Sequence, residues 1–193
     1  MAEARFLIRL GNTNGYRPSD GGDLLRKLRA SLAGHDARAM NLRVSSRAVE
    51  FDLFTGHESP RAVLCAGWRS IGPVVTERRL DVPGAPRTLE EAMLEARALF
   101  EEERFWEVHE SLEEAWRRSA GGEKEWLQGL ILLAAALVHH QRREPSVAWP
   151  MMADALHRLA KAPASAGGWN LAELRDRFQT VFTSKTLDFP SEL

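Results

Sequence analysis

The stretch FWEVHESLEEAW, Phe105–Trp116, decides how the second half of the chain folds. Its aromatic and core-forming residues recur at i, i+4, i+7 and i+11, which is the spacing of one helix face. These positions are taken by Phe105, His109, Leu112 and Trp116. The spacing predicts a helix over roughly 105–118 whose core-facing stripe includes His109, with Glu113 one turn later at the edge of that stripe.

The other three carboxylates of this stretch lie away from the stripe, and we interpret them as a solvated surface. They are Glu107, Glu110 and Glu114. The chemistry therefore reduces to one pair, His109 and Glu113. A histidine beside a carboxylate suits acid–base catalysis, and it also suits a buried polar network in which each group satisfies the other. We interpret the pair as part of a network, and catalysis remains the alternative.

The next apolar segment predicts a buried helix, Trp126–His140, because its residues are apolar almost all round. If this helix runs back antiparallel after the SAGGEK break, Gln128 reaches the level of Glu113 and contacts it. His139 then lies about 7–8 Å further along the axis than His109, from a rise of 1.5 Å per residue. The network is therefore expected to join His109, Glu113 and Gln128, and joint ligation of a metal by His109 and His139 is marginal.

The spacing does not match the known metal-binding patterns. An HExxH zinc site needs a second histidine where Glu113 stands. A di-iron bundle needs an ExxH motif, and position 106, three residues before His109, is tryptophan. No hydroxyl or thiol nucleophile stands out beside His109. The sequence predicts neither a metal site nor a cofactor.

Further helices surround these two. Thr88 and Glu91 form a capping box, which starts a helix at Leu89 that runs to about Phe100. Another helix is predicted over about Val147–Leu159, and a last one starts at the Asn170–Glu173 cap and ends near Phe182. The segment APASAGGW between them is predicted to be a flexible loop. The second half is therefore an all-α bundle of about five helices over 88–182, followed by a tail, 183–193.

The first half is predicted to have the order β-α-β-β-α-β, which is the ferredoxin-like arrangement. Its alternating strands are RFLIRL, AMNLRV, RAVEFDLF and PVVTERRLDV, and its second helix starts at Ser59 with Pro60 at the first helical position. The third strand directs Val49, Phe51 and Leu53 at the helices. Its alternate residues, Glu50 and Asp52, are expected to pair with arginines on a solvated open face: Arg5, Arg9 and Arg43.

The predicted fold class is α+β, a ferredoxin-like unit over residues 1–83 followed by the helical bundle. The boundary is DVPGAPRT, Asp81–Thr88, where two prolines and a glycine interrupt regular structure. Net charge changes at this boundary, from +4 over residues 1–84 to −5 over residues 85–193. This supports two units with different surfaces. The excess of +4 is too small to indicate a dense nucleic-acid footprint.

Composition predicts a cytoplasmic protein without a membrane segment. Apolar residues make up 44% and charged residues 27% of the chain, and no apolar run approaches the ~18 residues that a membrane helix needs. Cys65 is the single cysteine, so neither an internal disulfide nor a multi-cysteine zinc site is expected.

The helical half resembles a known uncharacterised family, domain-of-unknown-function family 309. Two segments carry the resemblance: ALFEEERFWEVHESLEEAW, Ala98–Trp116, and WLQGLILLAAALVHHQRRE, Trp126–Glu144. The family's signature positions are then His109, Glu110, Glu113, Trp116, Gln128, Gly129 and His139. The resemblance implies a compact helical bundle over roughly 88–182, with a first helix pair similar to a tetratricopeptide hairpin. It implies no activity, and the N-terminal unit lies outside it.

This sequence departs from the family pattern mainly in its turns. Glu103 stands where the family has glycine, Val108 stands for alanine, and Arg143-Glu144 stands where Gly-Asn is common. The leading hypothesis is a non-catalytic module that binds a protein or small-molecule partner, with Glu110, Trp116, Gln128 and His139 in its network. The first alternative is a small metal-dependent or hydrolase-like enzyme that uses His109 and Glu113. The second is nucleic-acid binding through the basic N-terminal half.

Overall fold

The computed structural model describes residues 3–63, 66–81 and 87–186 of the chain. It divides into two compact units, one over Met1–Gly84 with Gln141–Arg143, the other over Ala85–His140 with Glu144–Leu193. The α+β class is confirmed, because a four-stranded antiparallel sheet is followed by five long helices. Cys65 and most of the predicted boundary lie outside the described residues. None of the helices in the described ranges is both long and apolar enough to cross a membrane.

The sheet of the first unit has the strand order β2-β3-β1-β4, with every neighbour antiparallel. Its strands are β1 (Ala4–Gly11), β2 (Ala37–Val44), β3 (Ala48–Thr55) and β4 (Val74–Arg79). Helix α1 (Gly21–Ser31) connects β1 to β2. The first and third strands are therefore central neighbours, as the predicted ferredoxin-like order requires.

The second helix of this unit is much shorter than predicted. Ser59 does cap a helical turn, because its side chain accepts a hydrogen bond from the Arg61 amide, but that turn is a single 3₁₀ turn, Pro60–Ala62. Val63 then leaves the helical region with φ −115° and is 1% exposed. The next helical segment among the described residues is α2 (Ala66–Arg69).

The third strand faces the core as predicted, and its charged residues pair as predicted, but they are not solvated. Val49, Phe51 and Leu53 are fully buried. On the alternate positions Asp52 accepts from Arg5 at 2.7 Å and from Arg43 at 3.2 Å, and Glu50 lies 3.5 Å from Arg9. The paired groups are themselves buried: Arg9, Arg43, Glu50 and Asp52. Such burial is tolerable because each charge has an opposite partner.

The helical unit contains α3 (Leu89–Glu101), α4 (Phe105–Arg118), α5 (Gly121–Gln141), α6 (Pro145–Leu159) and α7 (Leu171–Ser184). The caps predicted from sequence are present: the Glu91 amide donates to Thr88 Oγ1, and the Glu173 amide donates to Asn170 Oδ1 at 3.1 Å. Helix α5 begins five residues earlier than predicted. The break is confined to Ser119–Ala120, because Gly121 takes a φ of +57° that reverses the chain into the helix.

The turns α3–α4 and α5–α6 have the same backbone geometry. In the first, the Arg104 amide donates to Leu99 O at 2.9 Å, and in the second the Glu144 amide donates to His139 O at 2.8 Å. The residue before each donor is left-handed, with φ +58° at Glu103 and +62° at Arg143. This is the six-to-one hydrogen bond of a Schellman turn, in which glycine is the usual left-handed residue. Glu103 and Arg143, which stand where the family has glycine, therefore still form Schellman turns.

We expect Arg143→Gly to raise the free energy of unfolding by about 0.5–1 kcal/mol. This is the left-handed strain of roughly 1–2 kcal/mol minus the greater backbone entropy of glycine, about 0.5–1 kcal/mol. Arg143 is exposed, so little else changes. Arg142→Gly is the matched control, since its φ is not left-handed, and it is expected to destabilise. Urea unfolding followed by circular dichroism measures both, and equal losses in the two variants contradict the prediction.

Candidate functional site

His109 is less buried than its stripe predicts. The fully buried face of α4 is rotated by about one residue toward Val108, and it consists of Phe105, Val108, Leu112 and Ala115 together with Glu107. The exposed fraction of the His109 side chain is 33%. Its Nδ1 atom lies 3.5 Å from Glu110 Oε1 and has no hydrogen-bond partner among the described residues.

The structure brings His109, Glu110 and Glu113 together on one side of α4. One potential ligand atom from each lies within 4.8 Å of the other two. Glu113 is partly exposed and receives a hydrogen bond from Arg117 Nη2 at 2.6 Å, so a guanidinium already occupies one side of its carboxylate. One imidazole and two carboxylates form a donor set that fits a zinc-like or manganese-like cation.

The network predicted across α4 and α5 is not formed. Glu113 bonds to Arg117, and no hydrogen bond joins the Gln128 side chain to any described residue. Trp116 is partly buried, and the Lys124 ammonium lies 4.6 Å from its ring centroid. The donor to Glu113 is instead the arginine one turn along the same helix, Arg117.

His139 lies apart from this cluster and takes part in the α5–α6 turn. Its Nδ1 atom is 2.5 Å from Glu144 Oε2, five residues along the chain. Glu144 also donates its amide to His139 O, so the pair connects the last turn of α5 to the start of α6. His139 therefore pairs with Glu144 and is not part of the ligand group that His109, Glu110 and Glu113 form.

Glu107 is buried, although the sequence pattern predicted a solvated residue. Its side chain is 1% exposed and accepts two hydrogen bonds from Arg104, at 2.7 Å from both Nε and Nη2. Burial by itself lowers the pKa of Arg104, but the hydrogen bonds and charges of Glu107 and Glu102 outweigh it and raise that pKa above its usual range. The pair has a structural role, because both carboxylate oxygens are engaged.

A separate cavity of about 170 Å³ lies in the helical unit, between α3, the start of α7 and the segment that precedes α7. That segment is not the predicted loop: Ser165–Ala166 (β5) pairs with Trp169–Asn170 (β6) in a short hairpin. Gly167 and Gly168 form its two-residue turn with φ of +52° and +80°, as a type I′ turn requires.

Three aromatic or apolar residues form the floor of the cavity: Phe100, Trp169 and Leu174. The ring centroids of Phe100 and Trp169 are 5.3 Å apart in an edge-on arrangement, and Trp169 Nε1 donates to Met93 O at 2.8 Å. These contacts fix the indole, so the floor is preformed. A rigid apolar wall with a few polar groups at its rim is typical of a small-molecule site.

The rim of the cavity carries two arginines and two glutamates with different environments. Arg97 donates to Glu101 at 3.0 Å and to the Gly168 carbonyl, and Glu173 accepts from Asn170 Nδ2 at 2.8 Å. Arg177 lines the cavity without an ion pair or hydrogen bond to any described residue. Sequence reasoning missed these residues, although a Gly-Gly pair just before a tryptophan and a helix cap is a hairpin signal.

Residues 93–151 match the family model for a domain of unknown function (DUF309). An uncharacterized protein of Aquifex aeolicus (strain VF5) is 33% identical over 90 residues, which are 46% of this chain and 27% of that protein. The chain thus spans about a quarter of that relative. A conserved hypothetical protein from Thermus thermophilus has a crystal structure that is similar to 46% of this chain and 93% of its own, with 36% identity and a TM-score of 0.40.

Proposed function

Residues 93–151 of the helical unit match the DUF309 family model, and on that premise we propose that this unit is a non-catalytic module that binds a small organic molecule. The observation that carries the proposal is the cavity between α3, the β5–β6 hairpin and α7, with its aromatic floor and an Arg177 that has no partner among the described residues. The described lining side chains support binding, because they offer no hydroxyl, thiol, imidazole or amine and their two carboxylates, Glu101 and Glu173, already accept hydrogen bonds from Arg97 and Asn170.

The size of the cavity suits an occupant, or part of one, of about one ring. A cavity of roughly 150 Å³ lined by apolar side chains holds benzene, and this one measures about 170 Å³. Phe100 and Trp169 are only 4% and 5% exposed, so an occupant contacts ring edges that are already in place. Binding then needs little reorganisation of the protein, which lowers the cost of association.

Indole and benzyl alcohol test the proposal as neutral one-ring probes. We expect both, at millimolar concentration, to shift the Trp169 Nε1–H signal in an ¹⁵N–¹H spectrum of the full chain. The internal control is the Trp126 Nε1–H signal, from a buried tryptophan that does not line the cavity. If neither probe shifts Trp169, or both tryptophans shift alike, the cavity is not a binding site.

A metal-dependent activity at His109 and Glu113 is the second candidate function. The observation in its favour is the approach of three ligand atoms, one each from His109, Glu110 and Glu113, to within 4.8 Å of one another. Arg117 opposes a cation at the same carboxylate, and this hypothesis therefore ranks second.

Calorimetric titration of Zn²⁺ and Mn²⁺ into the full chain tests the second candidate. We expect His109→Ala to weaken binding at least tenfold and Arg117→Ala to strengthen it, since a competing guanidinium is removed. Glu114→Gln is the control, because Glu114 forms an equivalent ion pair with Arg118 at 2.6 Å on the same helix outside the cluster. Equal affinity in His109→Ala and Glu114→Gln removes this candidate.

The N-terminal unit supports nucleic-acid binding less well. Arg5, Arg9 and Arg43 on the central strands are paired with Glu50 or Asp52, so these guanidiniums are already neutralised where phosphates would bind. We propose a cytoplasmic location from the single cysteine of the sequence.

A further inference from the structure

Two oppositely charged residues at the rim of the cavity have the spacing of a helical ion pair, but they do not form one. Glu173 and Arg177 are one turn apart on α7, with the acidic residue first, which is the favourable order for an i, i+4 pair. Both line the cavity. Glu173 instead accepts from the Asn170 amide, and Arg177 has no partner among the described residues. A cation and an anion are therefore presented separately beside one apolar floor.

The other rim charges do not alter this balance. Arg97 and Glu101 neutralise each other through their hydrogen bond at 3.0 Å, and Arg97 is also bound to the Gly168 carbonyl. The Asn170 amide is neutral, so the charge of Glu173 persists despite its hydrogen bond. The groups that remain to bind an occupant are the Arg177 guanidinium and the Glu173 carboxylate, which can still accept further hydrogen bonds.

This arrangement selects among charge types. A simple carboxylate would be attracted by Arg177 but repelled by Glu173. A simple amine would be attracted by Glu173 but repelled by Arg177. A neutral ring would leave both charges without a partner while excluding their water, which costs free energy. An occupant that carries both an anion and a cation satisfies the two residues together, through charge-assisted hydrogen bonds.

We propose that the cavity takes a zwitterion of the α-amino-acid type with an apolar side chain, its carboxylate on Arg177 and its ammonium on Glu173. The apolar side chain packs on Phe100, Trp169 and Leu174. This inference rests on the proposed function, that the cavity holds a small organic molecule, and it specifies the class of that molecule. A side chain of about one ring fills the available 170 Å³.

Three probes that share a phenyl ring test the class: L-phenylalanine, 3-phenylpropanoate without the ammonium, and 2-phenylethylamine without the carboxylate. Calorimetry and the Trp169 Nε1–H signal of the full chain report binding. We expect L-phenylalanine to bind at least tenfold more tightly than either analogue, because a site with a polar partner for each group discriminates against ligands that lack one.

Two variants assign the two ends of the ligand. Arg177→Gln is expected to weaken L-phenylalanine and 3-phenylpropanoate at least tenfold and to leave 2-phenylethylamine unchanged. Glu173→Gln is expected to weaken L-phenylalanine and 2-phenylethylamine and to leave 3-phenylpropanoate unweakened. The matched control is Arg175→Gln, since Arg175 lies on the same helix, is paired with Asp176 at 2.8 Å and does not line the cavity.

The outcomes separate this inference from the proposed function. If the three phenyl probes bind alike, or if Arg177→Gln behaves as Arg175→Gln, the zwitterion is wrong and the cavity remains a site for apolar rings. If indole and benzyl alcohol shift Trp169 while L-phenylalanine does not, the inference alone fails. If no ring compound shifts Trp169, the inference and the proposed function fail together.

Discussion

Glu107→Gln is expected to lower the free energy of unfolding by about 3 kcal/mol, although glutamine differs from glutamate by one atom. Glu107 is 1% exposed and binds Arg104 through both carboxylate oxygens. Removing one partner of a buried pair leaves the other charge uncompensated, which costs about 3–5 kcal/mol. We expect the lower end, because Arg104 is 19% exposed and keeps a second carboxylate, Glu102, at 3.1 Å.

Glu114→Gln is the matched control for this prediction. It makes the same substitution on the same helix in a Glu–Arg pair, but Glu114 and Arg118 are 47% and 46% exposed. Its expected loss is about 0.3–0.5 kcal/mol, as for exposed i, i+4 pairs. Urea unfolding followed at 222 nm, where helices dominate the signal, measures both. Similar losses in the two variants would show that the Arg104–Glu107 pair is not buried in solution.

A double variant separates charge from packing at this position. Arg104→Met with Glu107→Leu replaces both charges by apolar side chains of similar size. Replacement of a buried ion pair by apolar residues is often neutral or stabilising, so the double variant is expected to recover most of the loss. If the double variant is less stable than Glu107→Gln, packing and not the unpaired charge limits this site.

Phe100→Ala is expected to cost about 3–5 kcal/mol, the usual range for removal of a buried phenyl ring. Phe100 is 4% exposed and makes edge-on contacts with three rings, Phe105 at 5.1 Å, Trp169 at 5.3 Å and Phe178 at 6.0 Å. Each such contact adds about 0.5–1.5 kcal/mol to the burial of the ring itself. Its loss loosens α3, α4, the hairpin and α7 together.

Phe182→Ala is the control for Phe100→Ala. Phe182 is only partly buried and lies 6.2 Å from the Trp149 ring. Partial burial of a phenyl ring contributes about 1 kcal/mol on the usual area scale. Urea unfolding compares the two variants, and the Trp169 Nε1–H signal is expected to move in Phe100→Ala alone. Equal losses would place the centre of this core elsewhere.

The parts of the fold that follow from local pattern were predictable from the sequence. The bounds of α4, Phe105–Arg118, agree with the predicted helix, and the Thr88 and Asn170 caps lie where the Ser/Thr/Asn-x-x-Glu spacing places them. The strand order also follows, because the predicted element order β-α-β-β-α-β is that of the ferredoxin-like arrangement, in which the first and third strands are central. These signals are contained in a few consecutive residues.

The missed features depend on partners that a helix pattern does not include. Glu107 is buried because its donor, Arg104, lies in the turn before α4, where a 3.6-residue stripe gives no information. The Glu113–Gln128 contact was predicted from axial level alone, whereas Glu113 accepts its hydrogen bond from Arg117 on its own helix. The cavity requires a hairpin that was interpreted as a loop, although Gly167-Gly168 suits a two-residue turn.

The sheet topology also determines when each unit can form. In the first unit β1 pairs with β4, so Phe6 has Arg79 as its neighbour, and the central strand stays incomplete until nearly the whole unit is available. The helical unit contains successive helix pairs joined by turns of a few residues, and α3 and α4 are separated by only three residues. Rates of folding fall as the sequence separation of native contacts rises. Pairing of β1 with β4 is therefore expected to be a late step in the folding of the first unit.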